Sequence, residues 1–292
     1  MTHRLASTGH FLSIDAREYY HDAGFQTIAP RESWTTLEQR LERSVDRLLE
    51  QLDAASTRAT FFVPGEIART RPALVRRIAA SGNEVAAHGD HRLLTGDLTP
   101  WSLRADARSS KAAIEHATST LVRGFRAPFC VLGCARDWAL EVLVEEGYEY
   151  DSSCIPQTKS SLGGPSIPSY AHVVECAAGT ITEVPPTPIH SFGRLPAPGV
   201  VTPLRGATYR AVRRTFEQRT RGSMPGVMTL AAWEVDPGQP RLPGPWSLRR
   251  RHYRGLSRVE ARLDRLLREF RFDAIGFSLD DVSRSAPLTR VA

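Results

Sequence analysis

Apolar residues at Leu37, Leu41, Val45, Leu48, Leu49 and Leu52 follow helical spacing and predict a helix over 36–53. Arg58-Ala59-Thr60-Phe61-Phe62-Val63 is instead a run of strand formers, stopped by Pro64-Gly65. A second helix follows, with Pro72 near its start, Leu74, Val75 and Ile78 on one face, and Gly82 as its cap. A short strand over 83–87 then leads into His88. The alternation continues with a helix over 101–117, a strand over 121–125 ending at Arg126-Ala127-Pro128, a helix over 137–146 and a strand over 148–151. Later strands are predicted at 181–184 and 227–230, and later helices at 209–219 and 257–270. The Pro- and Gly-rich stretch over 163–203 reads as long loops.

Strand-helix alternation along the whole chain predicts an α/β fold, a parallel sheet covered by helices. Asp15, which ends the apolar run Phe11-Leu12-Ser13-Ile14, falls at a strand C-terminus, as do His88, Arg126 and Asp151. In a closed β/α barrel that end is the catalytic face. No repeat or linker divides the chain, so one domain over 10–283 is expected, with 1–9 and 284–292 as flexible termini.

The chain has 292 residues, 41% of them hydrophobic and 24% charged, an ordinary globular balance with room for one large domain. The run at the N-terminus has no apolar core of a secretory signal and no stretch is long enough to span a membrane, so a cytoplasmic protein is expected. Net charge is +6, and nearly all of the basic residues are arginine. Arg249-Arg250-Arg251-His252 is the densest basic cluster; it reads as solvated surface, with phosphate or an acidic polymer as the alternative, because no aromatic stacking pattern accompanies it. No nucleic-acid partner is expected. Cys130, Cys134, Cys154 and Cys176 match no zinc spacing and read as buried free thiols, Cys154 lying beside a site strand.

Several linked segments share one resemblance. They are the Asp15 strand end, Arg58-Ala59-Thr60-Phe61-Phe62-Val63, Glu84-Val85-Ala86-Ala87-His88-Gly89 and Gly124-Phe125-Arg126-Ala127-Pro128. Tyr150-Asp151-Ser152-Ser153, the run from Trp233-Glu234 to Pro240-Arg241, and Arg251-His252-Tyr253 complete the set. Together they resemble the NodB-type polysaccharide deacetylases, carbohydrate esterase family 4, and most of all those associated with exopolysaccharide export. The resemblance implies a distorted (β/α)7 barrel that removes N-acetyl groups from amino sugars. It implies a divalent metal, zinc, held by one carboxylate and two histidines, which polarises the acetyl carbonyl and activates water. It further implies an aspartate base at Asp15, an orienting arginine at Arg126 and a first metal histidine at His88.

Three positions depart from that pattern. The metal carboxylate is expected two residues after Asp15, where Arg17 stands, and a guanidinium repels a cation rather than ligating it. Either Glu18 rotates in as ligand, or the metal site is lost and Arg17 pairs with Asp15 or a substrate carboxylate. The second histidine, His91, follows His88 by three residues instead of four. Ala231 stands where a proton-donating histidine is expected. His88 and His91 are thus candidate ligands of a zinc that Arg17 opposes.

Phe129, Asp151, Trp233 and Glu234 join Arg17, Glu18 and His91 as candidate substrate contacts, with barrel-mouth shaping or core packing the alternative for Asp151, Trp233 and Glu234. His21 and His190 read as exposed loop residues. The leading expectation is hydrolysis of an amide C–N bond in an acetamido sugar or small acetylated amine. A metal-independent biosynthetic enzyme performing elimination, cyclisation or ring-opening is the second reading, and a non-catalytic glycan-binding protein the third. Oligomeric state is not legible in the chain.

Overall fold

In the computed structural model, which describes residues 9–90, 98–128, 137–154, 156, 168–189 and 203–290, the expected alternation becomes one α/β domain. The first half contains β1 (His10–Asp15), α1 (Leu41–Ala54), β2 (Thr60–Val63), α2 (Gly65–Thr70), α3 (Pro72–Ala80), β3 (Glu84–Ala87), α4 (Pro100–Thr118), β4 (Gly124–Phe125) and α5 (Asp137–Glu145). The second half contains β5 (Tyr150–Asp151), β6 (His172–Cys176), β7 (Gly179–Glu183), α6 (Pro203–Gly206), α7 (Tyr209–Arg221), β8 (Val227–Ala231), α8 (Trp246–Tyr253), α9 (Val259–Glu269), β9 (Phe272–Asp273), α10 (Leu279–Ser285) and β10 (Leu288–Arg290).

The strands β7-β5-β4-β3-β2-β1-β8 lie side by side and parallel, the wall of the expected distorted barrel. Among the described residues, no strand ladder joins β8 to β7. The segment after β7 bridges the gap instead: Thr187 N–H donates to the Val227 carbonyl at 3.0 Å, and Val227 N–H to Thr187 Oγ1 at 2.8 Å.

Side chains alternate across this wall with the period of two that a pleated strand imposes. Leu12, Ile14, Phe61, Val63, Ala87 and Phe125 face the helices, where they meet the α1 stripe Leu41, Val45, Leu48 and Leu52. Phe11, Phe62, Ala86, Tyr150, Val184 and Val227 form a separate cluster inside the wall. Ser13 and Asp15 share parity with Phe11, so both point inward. That parity positions the site.

The structure departs from the sequence reading in four places. The helix expected from residue 36 begins at Leu41, because Glu18 accepts from the N–H groups of Arg40 and Leu41 and caps α1 from outside its own segment. Pro72 lacks an N–H and disfavours helical geometry at Arg71, which separates α2 from α3. Part of the supposed loop region is a hairpin, β6 paired antiparallel with β7 across Ala177-Ala178. At the far end α10 runs to Ser285 and β10 pairs with β6, so ordered structure passes the boundary expected at 283. Among the described residues, no helix is long and apolar enough to cross a membrane.

Candidate active site

Asp15 ends β1 opposite Phe62 of β2 and Ala231 of β8. Asp15 is buried, with 7% of its surface accessible. Arg126 enters from the end of β4 and fixes the near oxygen: Nη1 donates to Asp15 Oδ1 at 2.9 Å. Three further donors of this buried guanidinium are engaged. Nη2 donates to Ser13 Oγ (3.0 Å) and Ser152 Oγ (2.7 Å), and Nε to the Ser152 carbonyl (3.1 Å). The Phe62 ring lies 4.0 Å beneath it. Every direction in which Arg126 could tilt is occupied, so Asp15 Oδ1 is held in one place.

The far oxygen meets a different environment. Arg17 Nη2 lies 3.6 Å from Asp15 Oδ2, an ion pair too long for a hydrogen bond, and Arg17 Nε is buried without a hydrogen-bond partner among the described residues. His88 Nε2 lies 3.9 Å from the same oxygen. His88 Nδ1 is 2.9 Å from the Arg126 carbonyl, which can only accept, so the proton sits on Nδ1 and the Nε2 lone pair faces Asp15. Burial lowers the His88 imidazole to about 4, and Asp15 only partly opposes this, so the ring is neutral near pH 7. Burial pushes the Asp15 carboxyl up, but the charges of His88, Arg126 and Arg17 and the Arg126 hydrogen bond outweigh it, and its pKa lies below the ordinary 3.8. With His88 neutral, the two guanidinium groups keep Asp15 ionised.

The structure thus brings Asp15, Arg17, His88 and Arg126 together, and it leaves other expected residues outside. Glu18 is fully buried away from them; beyond capping α1 it accepts from Arg71 Nη1 at 2.8 Å. Asp151 pairs in register with Phe125, on the helix-facing side of the wall, and accepts from Ser153 Oγ at 2.6 Å. Its carboxyl is raised by burial beside Glu183. Glu234 is fully buried, paired with Arg205 Nε at 2.9 Å and accepting from Ala231 N–H at 3.1 Å. Trp233 packs with Ala231 and stacks on His252 at 4.1 Å, forming a wall beside the site. His21 is not exposed: only 3% accessible, it packs 4.3 Å from Trp34. Phe129, His91, His190, Cys130 and Cys134 lie outside the described residues. Cys154 is buried, whereas Cys176 is half-buried.

Sequence reasoning missed five contributors. Ser13 reads as an ordinary strand residue, and Ser152 as a shaper of the barrel mouth beside Asp151, until Arg126 crosses the barrel to reach both. Asp22 and His252 form a buried pair, Nδ1 to Oδ2 at 3.4 Å, behind Arg17. Asp22 is pulled to about 2: burial opposes this, but His252, the Gly24 N–H and Arg17 prevail. Arg205 lies 4.8 Å over the Trp233 ring and donates from Nη1 to the Arg251 carbonyl at 3.1 Å, tying the wall to α8. His252 was visible in the Arg251-His252-Tyr253 motif; its inward orientation was not.

These residues do not suit a divalent metal at Asp15. The described donors are Asp15 Oδ2 and His88 Nε2, and a cation between them would lie against the Arg17 guanidinium. Charge repulsion there is strong at low dielectric. Asp151, Cys154 and Glu183 also gather their ligand atoms within 4.8 Å of one another, but on the helix-facing side of the wall.

Residues 28–150 match the polysaccharide deacetylase family model, and residues 152–279 match a domain of unknown function. A crystal structure of a candidate polysaccharide deacetylase from Mycobacterium smegmatis is 17% identical, with 98% of this chain and 95% of that one aligned at a TM-score of 0.65. An allantoinase is 13% identical over 91% of this chain and 86% of its own, at a TM-score of 0.59. A carbohydrate esterase family 4 pseudoenzyme from Bacillus anthracis is 13% identical over 97% of this chain and 69% of its own, at 0.49.

Proposed function

We propose that this chain, whose residues 28–150 match the polysaccharide deacetylase family model, is a hydrolase of that type that cleaves an acetamido C–N bond without a metal at Asp15. The observation that carries this reading is the asymmetry of Asp15: one oxygen is locked by Arg126, the other faces Arg17 and His88. Asp15 Oδ2 and His88 Nε2 are both acceptors, and their 3.9 Å separation suits one water donating to each. Such a water turns its lone pair outward, toward a bound carbonyl. Asp15 takes its proton as the oxygen attacks the acetyl carbon.

Arg17 supplies the positive charge. Its Nε–H lacks a partner, and it approaches Asp15 only loosely, so donors are free for the developing oxyanion. When the C–N bond breaks, the nitrogen takes a proton. Ala231 has none to give, and Asp15, now protonated and paired with two guanidinium groups, returns the one it received. Water, amide, amine and acid then balance.

A second reading, ring-opening of a cyclic amide, draws on the same alanine. A ureide or imide nitrogen leaves with its charge delocalised and needs less protonation than a sugar amine.

Acetate release from N-acetylated amino-sugar oligomers and ring-opening of cyclic amides, assayed with chelator present, test both readings. Asp15→Asn is expected to lower kcat by about 10²-fold or more, the usual contribution of a positioned base. Arg17→Met is expected to lower kcat with KM less affected. Wild-type protein that turns over neither panel, or Asp15→Asn protein as active as wild type, overturns the assignment in favour of a non-catalytic glycan binder.

A further inference from the structure

Arginine is the dominant charged residue of this protein, and much of it is paired. Arg40 grips Asp236, Arg108 grips Glu146, and Arg123 bridges Glu149 and Asp280. Around α8 the pattern breaks. Arg241, Arg249, Arg250 and Arg254 have no acidic partner among the described residues, yet all four line one cleft of about 330 Å³ with Trp246 and Tyr253. Self-repulsion of four unpaired cations is unfavourable unless something negative offsets it.

The aromatic partners that the sequence did not announce are here. Arg250 lies 5.0 Å over the Trp246 ring and Arg241 5.3 Å over Tyr253. Trp246 is 71% exposed, unusual for so large an apolar side chain. Tyr253 is anchored, its hydroxyl accepting from Leu242 N–H at 2.7 Å and donating to the Pro240 carbonyl at 3.1 Å. One wall of the cleft is therefore rigid.

The helix that carries this cleft also touches the site. Its buried residue, His252, stacks on Trp233 and meets Asp22, while Arg251 Nη2 lies 3.8 Å from Asp22 Oδ1. Arg249, Arg250 and Arg254 are exposed beyond that buried face.

We propose that the α8 cleft binds an acidic saccharide chain, its carboxylates on the arginine forks and the apolar face of a sugar ring on Trp246. This names a substrate class for the proposed hydrolase and rests on that reading for its catalytic meaning, although binding itself does not require turnover. Planar guanidinium groups match carboxylates in bidentate fashion, and a saccharide needs only one aromatic platform. A single-stranded nucleic acid needs a succession of stacking platforms along the groove, and Trp246 offers one.

Titration of the Asp15→Asn protein separates binding from catalysis. Polygalacturonate oligomers, neutral chitin oligomers of equal length and a single-stranded oligonucleotide are the probes, followed by calorimetry and tryptophan fluorescence. The acidic oligomer is expected to bind more tightly than the neutral one, with affinity falling as salt rises. Arg249→Glu with Arg250→Glu is expected to weaken it by about tenfold or more, and Trp246→Ala to weaken it and abolish the fluorescence change. Equal affinity for acidic and neutral oligomers, unchanged affinity in both variants, or tighter binding of the oligonucleotide overturns the proposal. Wild-type protein that binds the acidic oligomer but releases no acetate would instead count against the catalytic reading alone.

Discussion

Two carboxyl groups point into the barrel, one at each end, and they are treated in opposite ways. Asp15, at the C-terminal end of β1, is surrounded by cations. Glu84, at the start of β3, is surrounded by neutral donors: Thr60 Oγ1 at 2.6 Å, Gly276 N–H at 2.8 Å and Tyr150 Oη at 2.9 Å. Burial penalises the charge of both. The arginines overcome that penalty at Asp15, whereas hydrogen bonds alone leave the Glu84 carboxyl raised above its ordinary value. The same wall therefore holds a carboxylate ready to take a proton at one end, and a carboxyl that ties β2, β3, β5 and the segment before α10 together at the other. Burial does not make a carboxyl catalytic; the charge of its neighbours and an open oxygen do.

Removing the cation should break the contrast most severely. Arg126→Met leaves Asp15 buried beside unsatisfied serine hydroxyls and is expected to cost about 3–5 kcal/mol by denaturant unfolding, as for other broken buried pairs. The double variant Arg126→Met with Asp15→Asn should recover part of that loss. A double variant no more stable than the single one would mean that Arg126 acts by packing on Phe62 rather than by pairing.

The next effect is one of sign. Asp15 has a depressed pKa in the folded state, so its contribution is present above about pH 3.8 and is lost as pH falls through the folded value. Glu84 has a raised pKa, so the folded state holds its proton longer and stability declines as pH rises above 4.5 toward the folded value. Unfolding free energies measured from pH 3 to 7 should therefore show wild type losing ground to Asp15→Asn on acidification, and losing ground to Glu84→Gln as pH rises. Parallel profiles for the two variants would erase the distinction.

The smallest effect concerns rate. Neutral His88 persists down to about pH 4, so the acid limb of kcat/KM should lie near there, not near 6.5. His88→Asn should lower kcat/KM while leaving melting nearly unchanged. An acid limb at 6 to 7 would show an imidazole working in its ordinary range.

Much of the barrel was legible because strand-helix periodicity is local. Leu41, Val45, Leu48 and Leu52 announce α1, and the motif ends mark the strand ends carrying Asp15, His88 and Arg126. The errors came where a distant residue decided. Glu18 looked like a ligand because it adjoins Arg17, but the unsatisfied N–H groups of α1 claimed it. Asp151 looked like part of the mouth, but one step of pleat parity turned it to the other side. Its neighbour Ser152, placed with it at the mouth, faces inward and holds Arg126.

By itself the chain determined the order of elements, the place of Asp15 at a strand end, and the substitutions Arg17 and Ala231, all of which depend on residue type and short-range spacing. Tertiary structure alone decided which oxygen of Asp15 stays open, which tautomer His88 adopts, and which arginines are left without partners. Those outcomes depend on groups far apart in the chain, as Asp15 and Arg126 are, meeting in a low-dielectric interior, where placement by a few ångströms sets charge, and no local pattern carries that information.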